Sequence, residues 1–235
     1  MVFSVKLRQA VLCTACFVFV TLGTVPFASG QSMSAQSMST SDKLIAAAGK
    51  GDVAAVQAAL REGAPVDARD RSGRTALLIA THGNKADVAR VLIAAGANVN
   101  AKDSIQDSPY LYAGAEGRNE ILKMTLAAGA DLKSTNRYGG TALIPAAHHG
   151  HPETVKILLA TAIDKDHVNN LGWTALLEAV VLGDGGPTHT EIVRLLVEAG
   201  ANPNIADREG VTPLSHAKRR GFANMARILA AAGGR

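Results

Sequence analysis

The sequence predicts an all-α solenoid of six helix-turn-helix repeats joined by hairpin-like loops, stacked in series over residues 42–235. Three observations predict it. A triplet that opens a helical segment returns at a fixed spacing, and a glycine–alanine pair keeps the same beat. Within each unit the apolar residues fall at i, i+3 and i+4, the spacing of one helix face, as in Val155, Leu158 and Leu159.

The triplets are Thr75-Ala76-Leu77, Ser108-Pro109-Tyr110, Thr141-Ala142-Leu143, Thr174-Ala175-Leu176 and Thr212-Pro213-Leu214, separated by 33, 33, 33 and 38 residues. The pairs are Gly63-Ala64, Gly96-Ala97, Gly129-Ala130 and Gly200-Ala201. An upstream copy carries the second half of the pattern without the triplet. The units are therefore 42–69, 70–102, 103–135, 136–168, 169–206 and 207–235. In four of them Thr75, Thr141, Thr174 and Thr212 stand where a hydroxyl caps the orphan N–H groups of a first helix. Pro109 and Pro213 take the first helical position, where a missing N–H costs nothing. Ala113-Gly114 and Ala146-Ala147 are small enough for helices to approach closely. Gly117, Gly150, Gly183 and Gly221, with Asn84 in register, are expected to end the first helix in a left-handed cap. A second helix and an outward loop complete the unit.

Repeat 2, through residues 70–80 (DRSGRTALLIA) and 94–100 (AAGANVN), resembles the ankyrin repeat nearly throughout, and the resemblance extends over residues 42–235. It implies a stack in which each unit buries its apolar faces against its neighbours and leaves a concave side. It also implies that variable residues on the hairpin tips and first helices line that side and meet a protein partner. By position those residues are Arg71, Ser72 and Arg74; Ser104, Ile105 and Asp107; Arg137, Tyr138 and Gly140; Asn170, Leu171 and Trp173; and Arg208, Glu209 and Val211. Tyr138 and Trp173 belong to the residue types that dominate binding hot spots. End units need polar faces, which Lys43, Lys50, Gln57 and Arg61 supply at one end and Lys218, Arg219, Arg220 and Arg227 at the other.

Residues 1–30 read as a secretory signal peptide. Lys6 and Arg8 precede an apolar run from Ala10 to Val25, Pro26 breaks it, and Ala28, Ser29 and Gly30 offer a small-residue cleavage site before Gln31. That run is shorter than the ~20 residues of a bilayer span. Residues 31–41 (QSMSAQSMSTS) read as a flexible tether. Cleavage would remove Cys13 and Cys16, the only two cysteines, and lower the formal charge from +4 to +2 by taking Lys6 and Arg8. A thiol-free chain of weak net charge is expected in the periplasm, as a monomer, with no pull towards nucleic acid.

Departures from the pattern are the places to seek function. Repeat 5 carries an insertion, Asp184, Gly185, Gly186, Pro187 and Thr188, between its helices. Histidines gather nearby in sequence: His148, His149 and His151, with His189 in the next repeat. Pro145 and Glu178 stand where repeats 2 and 3 have Ile79 and Tyr112. Proline there should kink or shorten its helix, and a carboxylate there needs a partner, for which His216 is in register one repeat on. Residues 161–166 (TAIDKD) replace the usual glycine–alanine turn, so that junction should be looser. No H-E-x-x-H, G-x-S-x-G or Walker motif occurs, so the expected function is non-catalytic protein binding without cofactor or metal. The alternative is a periplasmic protein holding a metal or small ligand on the histidine-rich edge and the Asp184–Thr188 loop.

Overall fold

The computed structural model describes residues 38–235. Among these residues there are twelve helices and no strand beyond an isolated Arg69–Thr75 bridge. The helices pair as α1 (Thr40–Lys50) with α2 (Val53–Arg61), α3 (Ala76–His82) with α4 (Ala86–Ala94), and α5 (Pro109–Ala115) with α6 (Asn119–Ala127). Then follow α7 (Leu143–His148) with α8 (Pro152–Leu159), α9 (Ala175–Val181) with α10 (Pro187–Glu198), and α11 (Pro213–Arg219) with α12 (Ala223–Ala231). First helices pack on first helices and second on second, always between neighbouring repeats. The signal peptide expected at 1–30 and the tether up to residue 37 lie outside the described residues. Ser39 caps α1, so the last residues read as tether belong to the first repeat instead. None of the described helices is long and apolar enough to cross a membrane.

The core is the row of leucines and isoleucines that each unit turns towards its neighbours, among them Leu77, Leu92, Ile121, Leu122, Leu143, Leu158, Leu176 and Ile192. Burying each stabilises the fold by about 1.5–3 kcal/mol relative to leaving it in water. Small residues set the spacing of the first helices. A β-carbon added to Gly114 would lie 2.8 Å from the Ala142 Cβ, so any side chain at 114 would push α5 off repeat 4.

Thr75, Ser108, Thr174 and Thr212 accept hydrogen bonds from Leu78, Leu111, Leu177 and Ser215 N–H groups, as expected of caps. Thr141 does not, and its buried hydroxyl has no partner. The cause is Pro145. In the regular repeats the residue at that register donates to the capping residue's carbonyl, as Ile79 does to Thr75 and Glu178 to Thr174, each at 3.0 Å. Pro145 has no N–H, so α7 starts late, at Leu143, and is six residues long instead of seven. The expected shortening is real. Asn84, Gly117, Gly150 and Gly221 take positive φ as the pattern predicts, whereas Gly183 does not and Gly185 does, at 74°. The extra residues of repeat 5 move the left-handed turn downstream. Gly183 is glycine for a different reason: a Cβ there would lie 2.2 Å from the Ala179 carbonyl oxygen.

Each loop between repeats folds on one side chain. Asp70, Asp103, Asn136, Asn169 and Asp207 each accept two backbone N–H groups, from the residues two and four positions on. Such Asx turns close a tight tip. A second set of Asx residues joins successive turns: Asp67 accepts from Asn98 N–H, Asn100 from Asp131, Asp166 from Asn202 and Asn204 from Arg235. The missing rung is between repeats 3 and 4, where the register holds Lys133, which has no acceptor to offer. The junction after residues 161–166, expected to be the loose one, keeps its rung through Asp166.

Candidate functional site

On the side of the stack formed by the hairpin tips and first helices, repeats 3 to 5 enclose a groove of about 440 Å³. Its rim comes from the tips, with Asp107, Arg137, Tyr138 and Leu171, and its floor from α5, α7 and α9, with Tyr112, Glu116, Pro145, His148, His149 and Glu178. The compact ring of Pro145 between Tyr112 and Glu178 leaves the space that a long side chain at the same register would fill.

The tips here are apolar at a regular interval. Ile105 is 50% exposed, Tyr138 51% and Leu171 48%, and they stand 33 residues apart on consecutive tips. Each donates its own N–H to the tip's Asx side chain, which fixes the backbone there while the side chain stays exposed. Their counterparts on the flanking tips are Ser72 and Glu209, which are polar. Arg137 lies over the Tyr138 ring, 5.0 Å from its centroid, and 3.7 Å from the Asp107 carboxylate.

The floor is titratable. Glu178 is only 6% exposed. Its Oε1 accepts from Asn169 Nδ2 at 2.8 Å, and its Oε2 lies 3.7 Å from His148 Nδ1. Burial pushes the Glu178 carboxyl above its ordinary pKa, against the opposing pull of the Asn169 hydrogen bond. Burial likewise raises Asp107, although Arg137 opposes it, and lowers His148, which the neighbouring His149 and His189 lower further. His149 Nδ1 sits 2.8 Å from the Ala115 carbonyl oxygen and 3.8 Å from Glu116. The partner expected for Glu178 was His216. Instead His216 is held within its own repeat by Asp207 at 2.6 Å. The rule is local: the tip anchor reaches the residue nine positions on, so Asn169 donates to Glu178 and the Asp207 carboxylate pairs with His216.

With the repeat geometry in place, the chain can be set beside known proteins. The family model for ankyrin repeats (3 copies) matches residues 26–103 and 110–207. The chain belongs to the ankyrin-repeat family. It is similar to the crystal structure of an ankyrin repeat domain from Acinetobacter baumannii AYE, with 57% identity and a TM-score of 0.80, covering 82% of this chain and 98% of that one. It is also similar to the crystal structure of EF0377, an ankyrin repeat protein, with 44% identity and a TM-score of 0.78 over 81% of this chain and 97% of that one. The ankyrin repeat domain of Bcl-3, described as a unique member of the IkappaB protein family, shares 28% identity at a TM-score of 0.74 over 82% and 86% of the two chains. The putative ankyrin repeat protein YahD of Escherichia coli is 52% identical over 56 residues, which span 24% of this chain and 28% of that protein.

Within this ankyrin stack the tip positions read from the sequence are not equivalent. Asp107, Arg137, Tyr138, Gly140 and Leu171 meet in the groove, and Ile105 is half-exposed on the neighbouring tip without lining it. Trp173 is half-buried and does not line it. Arg71, Ser72 and Arg74 belong to the tip of repeat 2, where Arg74 is bound to Asp70 at 2.7 Å. Ser104 donates its N–H to the Ser72 carbonyl, and Asn170 donates its own to that of Tyr138, so both serve to join tips. Arg208 donates to the Asn170 carbonyl, Glu209 is exposed, and Val211 closes the last tip through Asp207.

On the histidine-rich edge the His148 and His149 rings lie 4.8 Å apart and the His149 and His151 rings 6.1 Å apart. His148 and His149 turn to the groove, His151 packs against Gly117, and His189 is held between Asp184 at 3.0 Å and the His148 carbonyl at 2.9 Å. Among the described residues no three His, Cys, Asp or Glu side chains converge as a metal site would require. The insertion is pinned too. Asp184 accepts from Gly186 N–H, Gly185 abuts Phe222, and Pro187 and Thr188 form the first turn of α10. Sequence reading missed Asn136, Asn169, Tyr112 and Glu116 as parts of the site. Asx at the first tip position recurs with the repeat period, so the anchors were visible; Glu116 had no such signal.

Proposed function

We propose that this chain is a non-catalytic adaptor that docks a protein partner along the tips and first helices of repeats 3 to 5, the side that is concave in stacks of this kind. The observation that carries this reading is the row of half-exposed apolar residues, Ile105, Tyr138 and Leu171, on consecutive tips above a groove. Large exposed apolar side chains in register, bordered by polar ones, mark a surface that gains by being covered. Membership of the ankyrin-repeat family supports protein binding as the general activity.

The adaptor works as a monomer in the periplasm, a placement supported by the n-region, apolar run and small-residue site in residues 1–30. Sequencing the amino terminus of the protein from a periplasmic extract should give Gln31; an intact Met1 in the cytoplasmic fraction refutes export. For docking, tagged protein is used to capture partners from the native envelope. Tyr138→Asp with Leu171→Asp should abolish capture at unchanged helicity and melting temperature, while Lys123→Glu, on exposed α6 surface, should not. Capture that survives the first pair overturns the assignment.

A further inference from the structure

Resting on that docking surface, we infer that the partner segment is basic: an Arg or Lys side chain enters the groove towards Glu178, Glu116 and Asp107, while flanking apolar residues lie on the Ile105–Tyr138–Leu171 row. The groove holds three carboxylates and one guanidinium, that of Arg137, which is already engaged with Tyr138 and Asp107. Among the described residues no other Lys or Arg lines it. Glu178 is the sharpest clue. Ile79 and Tyr112 hold the same register in repeats 2 and 3, so packing does not demand a carboxylate there. A buried carboxylate costs free energy unless it is paired and hydrogen-bonded. Asn169 satisfies Oε1, yet Oε2 has only the His148 ring at 3.7 Å, beyond hydrogen-bond distance. Pro145 leaves the space in front of it open, and the volume falls within the ~300–1,000 Å³ of ligand pockets.

The groups around Glu178 give the pairing a pH dependence. Asn169 faces it from its own tip, and His148 and His149 from α7. His216 on α11 is occupied by Asp207, His189 on α10 by Asp184 and the His148 carbonyl, and Arg220 by the carbonyls of Val180 and Gly183 at the end of α9. Acidification protonates Glu178 and charges His148. Both changes oppose an incoming cation, so binding should weaken as pH falls.

The test uses two synthetic peptides of one Leu/Ser background, one with a central Arg and one with a central Glu, titrated calorimetrically into the folded protein. The Arg peptide should bind at least about tenfold more tightly, the scale of one charge-assisted hydrogen bond. Glu178→Gln should cost it about tenfold, leave the Glu peptide no weaker, and lessen the loss seen on acidification. Equal affinities, no binding of either peptide, or an unaffected Glu178→Gln variant overturns the inference. The envelope capture keeps the two readings apart. If the Tyr138/Leu171 variant loses its partner while the peptides show no charge preference, docking stands and the basic segment falls.

Discussion

Repeats 2 and 4 share a period and a set of leucines, yet they are bound to their neighbours differently. Between repeats 2 and 3 the tips share a backbone hydrogen bond from Ser104 to Ser72, Asn100 supplies an Asx rung, and Lys102 reaches across to the Thr135 carbonyl. Between repeats 3 and 4 the rung is missing at Lys133, no tip-to-tip backbone bond forms among the described residues, and Thr141 caps nothing. What crosses that junction is a handful of side-chain contacts: Thr154 to Asn119 at 2.7 Å, His149 to the Ala115 carbonyl, and Arg137 to Asp107. The groove opens on this same junction. The junction without a rung thus lies within the groove, whose other junction, between repeats 4 and 5, keeps the Asp166 rung and the Asn170 tip bond.

In a nearest-neighbour stack the weakest junction decides which units open together. The largest test is Leu92→Ala in the regular half, which should cost about 2–5 kcal/mol by denaturant unfolding. Hydrogen exchange in that variant should lose protection in repeats 1 to 3 and retain it in repeats 4 to 6; an even loss over all six breaks the comparison. Next come two threonines in one register. Thr75→Val removes a working cap and should destabilise by about 1 kcal/mol, whereas Thr141→Val removes a buried, unpartnered hydroxyl and should stabilise by about 1 kcal/mol. Chemical denaturation that gives both the same sign refutes the account of Pro145.

Glu178→Gln sharpens the comparison through pH. The folded protein holds the Glu178 proton more tightly than the unfolded chain, whose value is near 4.5. The carboxyl therefore contributes its full stability below that pH and loses it as pH rises through the higher folded value. Thermal melts of the variant and the parent should coincide near pH 4 and separate in the variant's favour towards neutrality. The smallest effect belongs to Lys133→Asn, which offers the missing acceptor to the Asp164 N–H and should add about 0.5 kcal/mol, the low end for one hydrogen bond. Exchange at Asp164 should slow in that variant before global stability changes.

The repeats, their boundaries and most caps were legible in the sequence because each depends on residues close together in the chain and returns five or six times. The failure of Thr141 was half legible. Pro145 announces a lost donor, but that the helix start would shift, and leave the hydroxyl buried, depends on repeat 3 covering it. The Asn169–Glu178 pair was hidden behind a wrong neighbour. Register pointed to His216 one repeat away, whereas the folded tip brings Asn169 back onto its own helix. The groove could not be read at all, since its volume depends on three side chains from three repeats. The histidines do gather on one edge, yet each ring is turned to its own contact and no three ligands converge among the described residues.

The Asx-anchored tips carry one further consequence. Because the anchor holds the residue two positions on by its backbone N–H, the scaffold depends on that residue's main chain and leaves its side chain free to vary. Ser72, Ile105, Tyr138, Leu171 and Glu209 thus form a short string of letters that can be rewritten one at a time. A lineage, or a protein engineer, can retarget such a molecule while leaving its architecture untouched.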